Sequence, residues 1–563
     1  MKNKKNQTSS LALMILGLLS SSSLSFAANF DSLDHSQSSF DNLEQSSPGS
    51  VAGKSSILNS LQQSAVDSKK DRYFAALNLL KQNKLDDAQS KIAELLKQSP
   101  NESQFHNLQA LLETLKKNPA GVEQSYQKAI ALDKNNLAAL MGLAKLALDA
   151  GDLNKAKDYA DKILILNDKL PSVYLLLADV AYKQKNNAEV ERILQAGHEK
   201  VKGNLVQEVE LVNTLGRFYV SQKQHEKLLA LADDMVKRYN GDTRALSVLA
   251  GAQIVNTKLD LAEQTLQNII KQDTGDIKPR LLLAKLISDK PEKEKEVLQL
   301  LDETAKIDVN NPQADTYKAA YFIKLKRHPE ALVVAEKIEK QFPKLAIGKL
   351  LKGDVFLSDK QWDKAIEQYQ NVYKMEPNTN VLFKIADIMQ SQNKLPDAIA
   401  LLDAESVKDN KNPALHFKLA TLYQQQNNLI QAQLHYEAIL NRQADNPLAL
   451  NNLAWLYSQQ NNPKSLELAK KAYTLAPDAA AITDTYGYIL LKQGQTKEAL
   501  SMLEKATASA PKDNDMQFHL AQAHVANDDK QKAIEILENI IKSEQAFSEK
   551  SAAEKLLSQL KTN

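Results

Sequence analysis

Cysteine is absent from the sequence. That excludes a disulfide framework, thiolate metal sites and a cysteine for lipid attachment. Glycine and proline are scarce, at 16 residues each in 563, against roughly 7% and 5% in ordinary proteins. Runs of Val and Ile alternating with polar residues are also missing, while Ala, Leu, Lys, Gln and Glu abound, so the sequence reads as all-α. Charge of one sign is lacking too: 71 basic residues face 69 acidic ones, a formal net charge of +2. Such a balance provides no field for gathering phosphates, and nucleic acid is not an expected partner.

Long apolar runs are absent except for LALMILGLL at 11–19. This run is shorter than the about 20 residues of a membrane span. Lys2, Lys4 and Lys5 precede it and Ser25-Phe26-Ala27 follows as a small-x-small site, so residues 1–27 read as a secretory signal peptide. Its removal takes three lysines away and the net charge from +2 to −1. The expected mature protein is periplasmic or secreted in a Gram-negative bacterium, with no integral membrane segment. Residues 28–68 are rich in Ser, Asn, Gln and Asp. They bury too little apolar surface to offset ordering, and are expected to form a disordered leader.

Catalytic motifs are lacking as well. None of the nine histidines lies in HExxH, and His519 and His524 are five residues apart in one helix, poor spacing for two ligands on a common face. There is no GxxxxGK[ST], no GxGxxG after a strand and no GxSxG. No enzymatic activity, cofactor or metal is expected.

What the sequence does have is a period. In segments ending at Pro100, Pro343, Pro377, Pro477 and Pro511, a small residue stands twelve places before the proline: Ala88, Ala331, Ala365, Ser465, Ala499. A second lies about twelve places earlier: Ala76, Ala319, Gly353, Ala454, Gly487. Other segments keep the small pair without the proline, as in Ala144/Ala156, Ala250/Ala262, Ala386/Ala398, Ala420/Ala432 and Ala521/Ala533. Prolines 34 residues apart (343 to 377, 477 to 511) fix the period, and 14 units fit between 69 and 547. Each unit holds two amphipathic helices, A and B. The small residues mark where they cross closely, and the proline ends helix B.

This pattern resembles the tetratricopeptide repeat (TPR). The resemblance implies a right-handed superhelical solenoid of about 14 TPR helix pairs with a C-terminal capping helix. The expected organisation is N-terminal units at 69–276, an irregular unit with a possible bend at 277–311 around Pro291, further units at 312–547, and a capping helix and tail at 548–563. It also implies that the A helices line a concave groove for protein or peptide partners.

Counting each unit from seven residues before its first small residue, positions 2, 5, 9 and 12 share one face of helix A. In the last units they supply Phe417, Asn451, Trp455, Asp484, Tyr488, Phe518 and Gln522, a mix of rings, amides and a carboxylate that suits interface anchors. Earlier units supply a second, basic patch of Asn213, Arg217, Arg244, Lys278 and Lys285, able to hold a carboxylate. Between the two lie Asp354, Phe383 and Asp387. The plain alternatives are a solvated face for the basic set and packing between adjacent A helices for the aromatic set. Trp362, just ahead of a B helix, reads as internal packing.

Residues 449–506 carry a narrower likeness. NNLAWLY, a unit one residue short before LAPD, then D-T-x-G-x-I-L and an EAL helix resemble the C-terminal repeats of TPR proteins of exopolysaccharide and exosortase (PEP-CTERM) systems. This resemblance implies a scaffold for cell-envelope partners in exopolysaccharide assembly or export. The alternative is a carbohydrate-binding surface, with Trp455 and Tyr488 stacking on an exported polysaccharide.

Overall fold

A computed structural model describes residues 68–543 and 547–562. The expected signal peptide and leader lie outside the described residues, save for Ser68, which opens the first helix. Among the described residues there are 29 α-helices and no strand. The first 28 form 14 pairs, starting with α1 (Ser68–Lys81) and α2 (Leu85–Gln98), and α29 (Lys550–Thr562) stands alone at the end. Odd-numbered helices of the pairs are A helices and even-numbered ones are B helices.

The small residues do what their spacing demands. Ala76, Ala88, Ala144, Ala156, Ala365, Ala454 and Ala499 are all fully buried. A Cβ on Gly353 would come within 2.7 Å of the Tyr369 ring, and one on Gly487 within 2.8 Å of Leu503. Each named proline lies two residues past the last residue of a B helix: Pro100 after Gln98, Pro377 after Met375, Pro511 after Ser509. Thirteen A–B turns place one residue at positive φ, among them Asn83, Lys185, Lys360 and Asn427. In most of these the next N–H reaches back five residues, as Gln361 N does to Phe356 O at 2.8 Å. This is the Schellman closure, and only Gly151 and Gly494 meet it with glycine. Asn and Asp side chains cap many helix starts, such as Asn136 on Ala139 N and Asp513 on Met516 N.

Two units are lengthened relative to the period. Helices α7 (Pro171–Lys183), α9 (Leu205–Ser221) and α11 (Thr243–Val255) begin 34 and then 38 residues apart. The extra turn heads α9, which has 17 residues. It contains Glu208, fully buried. That carboxylate accepts from His198 Nε2 at 2.8 Å, from both Nη atoms of Arg238 (Nη1 at 2.9 Å) and from the Tyr239 hydroxyl. It thereby ties α8 (Asn187–Val201) and α10 (His225–Arg238) to α9. Burial opposes the charge, but the bonds from Arg238, Tyr239 and His198 outweigh it and hold the carboxyl down at about 2. The irregular unit around Pro291 has a ten-residue A helix, α13 (Lys278–Ile287), a 3-10 turn (Pro291–Lys293) and α14 (Glu294–Ile307). The helices group into two compact units that divide after Phe322, inside α15 (Gln313–Lys324).

In the first unit a continuous core runs from Leu140 to Ala252 and includes Tyr174, Leu211 and Phe218. In the second, Tyr369, Ile385 and Leu419 anchor one cluster, with Trp362 packed on it as expected. The next clusters centre on Tyr436 and Leu453, on Ala454 and Tyr486, and on Phe518 and Leu537.

Replacing Glu208 with Ala should cost about 1–3 kcal/mol, because it removes the acceptor shared by His198, Arg238 and Tyr239 and leaves the buried His198 Nε2 without its partner. Urea melts followed by hydrogen exchange in α8–α10 would register the loss. The wild-type contribution should be intact above pH 4.5 and disappear as pH falls through about 2, since the folded carboxyl is the more acidic one. Lys360→Gly should act the other way, stabilising by about 0.5–1 kcal/mol in the same melts, because lysine at φ 58° is strained.

Candidate partner-binding site

The A helices α17 (Ile347–Ser358), α19 (Thr379–Ser391), α21 (Pro413–Gln425), α23 (Pro447–Gln459), α25 (Ala480–Lys492) and α27 (Asn514–Ala526) lie in successive repeats. A residue at position 9 of one A helix repeatedly meets position 6 of the next. Lys384 Nζ reaches Asp354 at 2.6 Å, and Lys418 Nζ reaches Asp387 at 2.5 Å. At Tyr488 the same register brings a ring: His519 stacks on it with centroids 4.3 Å apart and planes 30° apart. Trp455 leans on both, 5.2 Å from Tyr488 and 6.2 Å from His519. Three successive A helices, α23, α25 and α27, are joined by these rings.

His519 is the hub. It is 5% exposed, and its Nδ1–H donates to both oxygens of Asp484, at 2.9 and 3.0 Å. Its Nε2 faces Glu549 at 3.5 Å. Burial works against a charge on this imidazole, but the two carboxylates prevail and push it up to about 9. Glu549 belongs to the segment leading into α29. Ser548 beside it donates through N and Oγ to Asp515 Oδ1, at 3.0 and 2.6 Å. Lys492 Nζ lies 5.1 Å from the Tyr488 centroid.

The expected groove residues divide. Trp455, Tyr488 and Gln522 are half-buried and reach the surface. Asn451 and Asp484 are buried beside them, at 8% and 7% exposure. Phe518 is not a groove residue. It is 1% exposed and packs with Leu537, Ile540 and Ala553. Phe417 is half-buried, edge-on to Tyr436 at 5.7 Å, and serves packing. The reason is common to both: at position 5 the ring packs against the B helix of its own unit, Tyr436 for Phe417 and Leu537 for Phe518, whereas Trp455 and Tyr488 at position 9 stand further out.

The basic set is spread over three A helices. Asn213 on α9 is buried and not part of an exposed patch. Arg217 donates to Thr214 Oγ1 at 3.3 Å and feels the charge of Asp179. Arg244 on α11 commits Nε and Nη2 to Asp242, at 3.0 and 2.9 Å. Lys278 is exposed at the start of α13, and Lys285 is half-buried, its pKa lowered by burial.

Sequence reading overlooked His519, Glu549 and Asp179. Asp179, on α7, is 5% exposed and pushed up to about 7 by burial, with Lys183 and Arg217 opposing. The spacing of position 9 to position 6 would have paired His519 with Tyr488. Asp484 lies 35 residues from His519, outside any local motif. An open depression of about 500 Å³ lies in the first unit, between residues Lys223–Lys227 and Val255–Thr257. Among the described residues, no group of three or more His, Cys, Asp and Glu side chains could hold a metal ion, and no helix is long and apolar enough to cross a membrane.

The ring hub has a pH signature. The folded imidazole holds its proton more tightly than an unfolded one, at about 9 against 6.5. Its stabilisation should be complete below pH 6.5 and be lost as pH rises through about 9, on the order of 3 kcal/mol at most. Protection factors in α27 and α29, taken relative to the base-catalysed intrinsic exchange rate at each pH, should therefore fall across that window in the wild type. In His519→Gln they should be low at pH 6.5 already and change little.

Models of the tetratricopeptide repeat match residues 75–136, 417–480 and 490–560. No curated protein matches the sequence. Among solved structures, the protein is similar to the APC/C hetero-tetramer Cut9–Hcn1, at 14% identity and a TM-score of 0.37, with 90% of its own length and 98% of the other covered. It is similar to yeast Tom70 at 14% and 0.31, covering 82% and 96%. It is also similar to Naa15/Naa10 bound to HypK-THB at 12% and 0.35, covering 93% and 100%. The period, the buried small pairs, the helical hairpins and the matched segments agree: this protein carries tetratricopeptide repeats.

Proposed function

We propose that this protein is a non-enzymatic scaffold that holds protein partners on the A-helix face of its C-terminal repeats. We place it in the periplasm or outside the cell of a Gram-negative bacterium, serving cell-envelope or exopolysaccharide assembly and export. The signal-like residues 1–27 and the NNLAWLY to EAL stretch at 449–506 support that setting.

One observation carries the binding role. Trp455 and Tyr488 reach the surface side by side on successive A helices, 5.2 Å apart, with Gln522 beside them, and the buried His519 fixes the Tyr488 ring from behind. Large rings held rigid at a surface suit an interface anchor. The ring faces are turned on one another, so their polar edges remain for a partner. This favours a protein segment over a sugar, which needs an open aromatic face to stack on.

A photo-crosslinker at Gln522 in the full-length protein should yield protein adducts in the periplasm. Trp455→Ala should remove at least 90% of them, and Trp362→Phe should remove none. If the adducts persist undiminished in Trp455→Ala, the binding role is wrong.

A further inference from the structure

His416 on α21 and His435 on α22 (Leu429–Leu440) meet nitrogen to nitrogen, Nδ1 to Nδ1 at 2.9 Å. We infer that this pair is an acid-sensitive latch: it fastens the α21–α22 hairpin to α20 (Leu395–Lys408) at neutral pH and releases it as the surroundings turn acidic.

The geometry fixes the protons. His416 Nε2 donates to Asn410 O at 3.0 Å, so its Nδ1 is left as an acceptor and His435 Nδ1–H is the donor. His435 Nε2 then holds a lone pair, 3.8 Å from Asp403 Oδ1 on α20. Tyr423 of α21 closes the cluster. Its ring stacks on His435, with centroids 5.5 Å apart and planes 15° apart, and its hydroxyl donates to Asp403 Oδ2. Three helices of two successive repeats are thus joined through one pair of imidazoles.

A further proton has two places to go, and both weaken the latch. On His416 Nδ1 it would replace the acceptor with a second N–H and leave the rings facing donor to donor. On His435 Nε2 it would charge a side chain that is only 13% exposed. Burial and the neighbouring His416 oppose that charge while Asp403 favours it, and the imidazole lies below its ordinary value. The other charges nearby are engaged elsewhere. Lys418, the charged side chain of α21, is held by Asp387, and Glu437 of α22 takes the Tyr457 hydroxyl at 2.9 Å. Helix α23, which also packs on α22, has no Asp, Glu, Lys or Arg.

An opened seam takes the proton freely, so acid favours opening. The unfolded imidazole titrates at 6.5, so the latch is at full strength above that pH and weakens as the pH falls below it. This is the reverse of the His519 hub, which weakens as the pH rises through about 9. The C-terminal repeats hold most firmly between the two windows.

Full-length protein labelled with nitrogen-15 at histidine tests this. At about pH 7.5 the two Nδ1 atoms should show a scalar coupling across their hydrogen bond, with His416 as the Nε2–H tautomer. His416→Gln and His435→Gln assign the signals. Protection factors in α21 and α22, taken relative to the intrinsic exchange rate at each pH, should fall at least about threefold between about pH 7 and 5.5. Those in α12 (Leu259–Gln272) should hold steady. In His435→Gln, protection of α21 and α22 should be low already and flat across the window. Absence of the coupling at neutral pH would overturn the latch. So would protection that stays constant in the wild type, or that falls equally in α12 or in His435→Gln.

Discussion

The structure depends on how closely helix A can approach helix B. The distance between packed helices follows the side chains at the crossing, and with alanine or glycine there the backbones come near the lower end of the range. The buried Ala76/Ala88 and Ala144/Ala156 pairs set that distance, and at Gly353 the Tyr369 ring already occupies the space a methyl group would need. Once the hairpin is that tight, its remaining apolar surface is too little to stand alone. Each hairpin must bury its flanks against the next, which is why the core is a series of linked clusters.

A second consequence falls on the inner face. Adjacent A helices lie close enough for position 9 of one to touch position 6 of the next, and the face becomes a structural seam. Asp354 and Asp387 look in sequence like free carboxylates on a groove, yet each is matched by a lysine from the following repeat. Position 5 is closed over by the helices packed on it: Phe518 lies against Leu537, Ile540 and Ala553, and Asn213 is buried as well. What remains for a partner is what projects past the seam: the outer edges of Trp455 and Tyr488, and Gln522 beside them.

The fold was legible because its determinants are local and repeat. A small residue, another twelve places on and a proline after a further twelve define the hairpin without knowledge of its neighbours. The four extra residues in the unit that opens with α9 escaped notice, since an added helical turn keeps helical periodicity and only shifts the count. Half of the candidate site was legible by the same means, because Trp455 and Tyr488 share position 9. The other half was not. A face drawn on one helix treats positions 5 and 9 alike, and only the helices packed on it distinguish them. His519 looked like an ordinary histidine because its partners lie 35 residues before it and 30 after, at Asp484 and Glu549.

The seam also explains why rings gather at the end of the array. Exposed ion pairs such as Lys418–Asp387 contribute about 0–1 kcal/mol and lose that in salt. Ring pairs contribute about 0.5–1.5 kcal/mol beyond their burial and resist salt. A terminal repeat has no successor to hold its outer flank, so stronger seams are worth most there. The charged imidazole buried in that seam is held by carboxylates on both sides. Asp484 supplies one from the preceding repeat, and the other comes from beyond α27. Glu549 fills that place, so the segment entering α29 is more than a polar cover for Phe518 and Leu537. It supplies the second carboxylate on the buried imidazole under the rings that the candidate site presents to a partner.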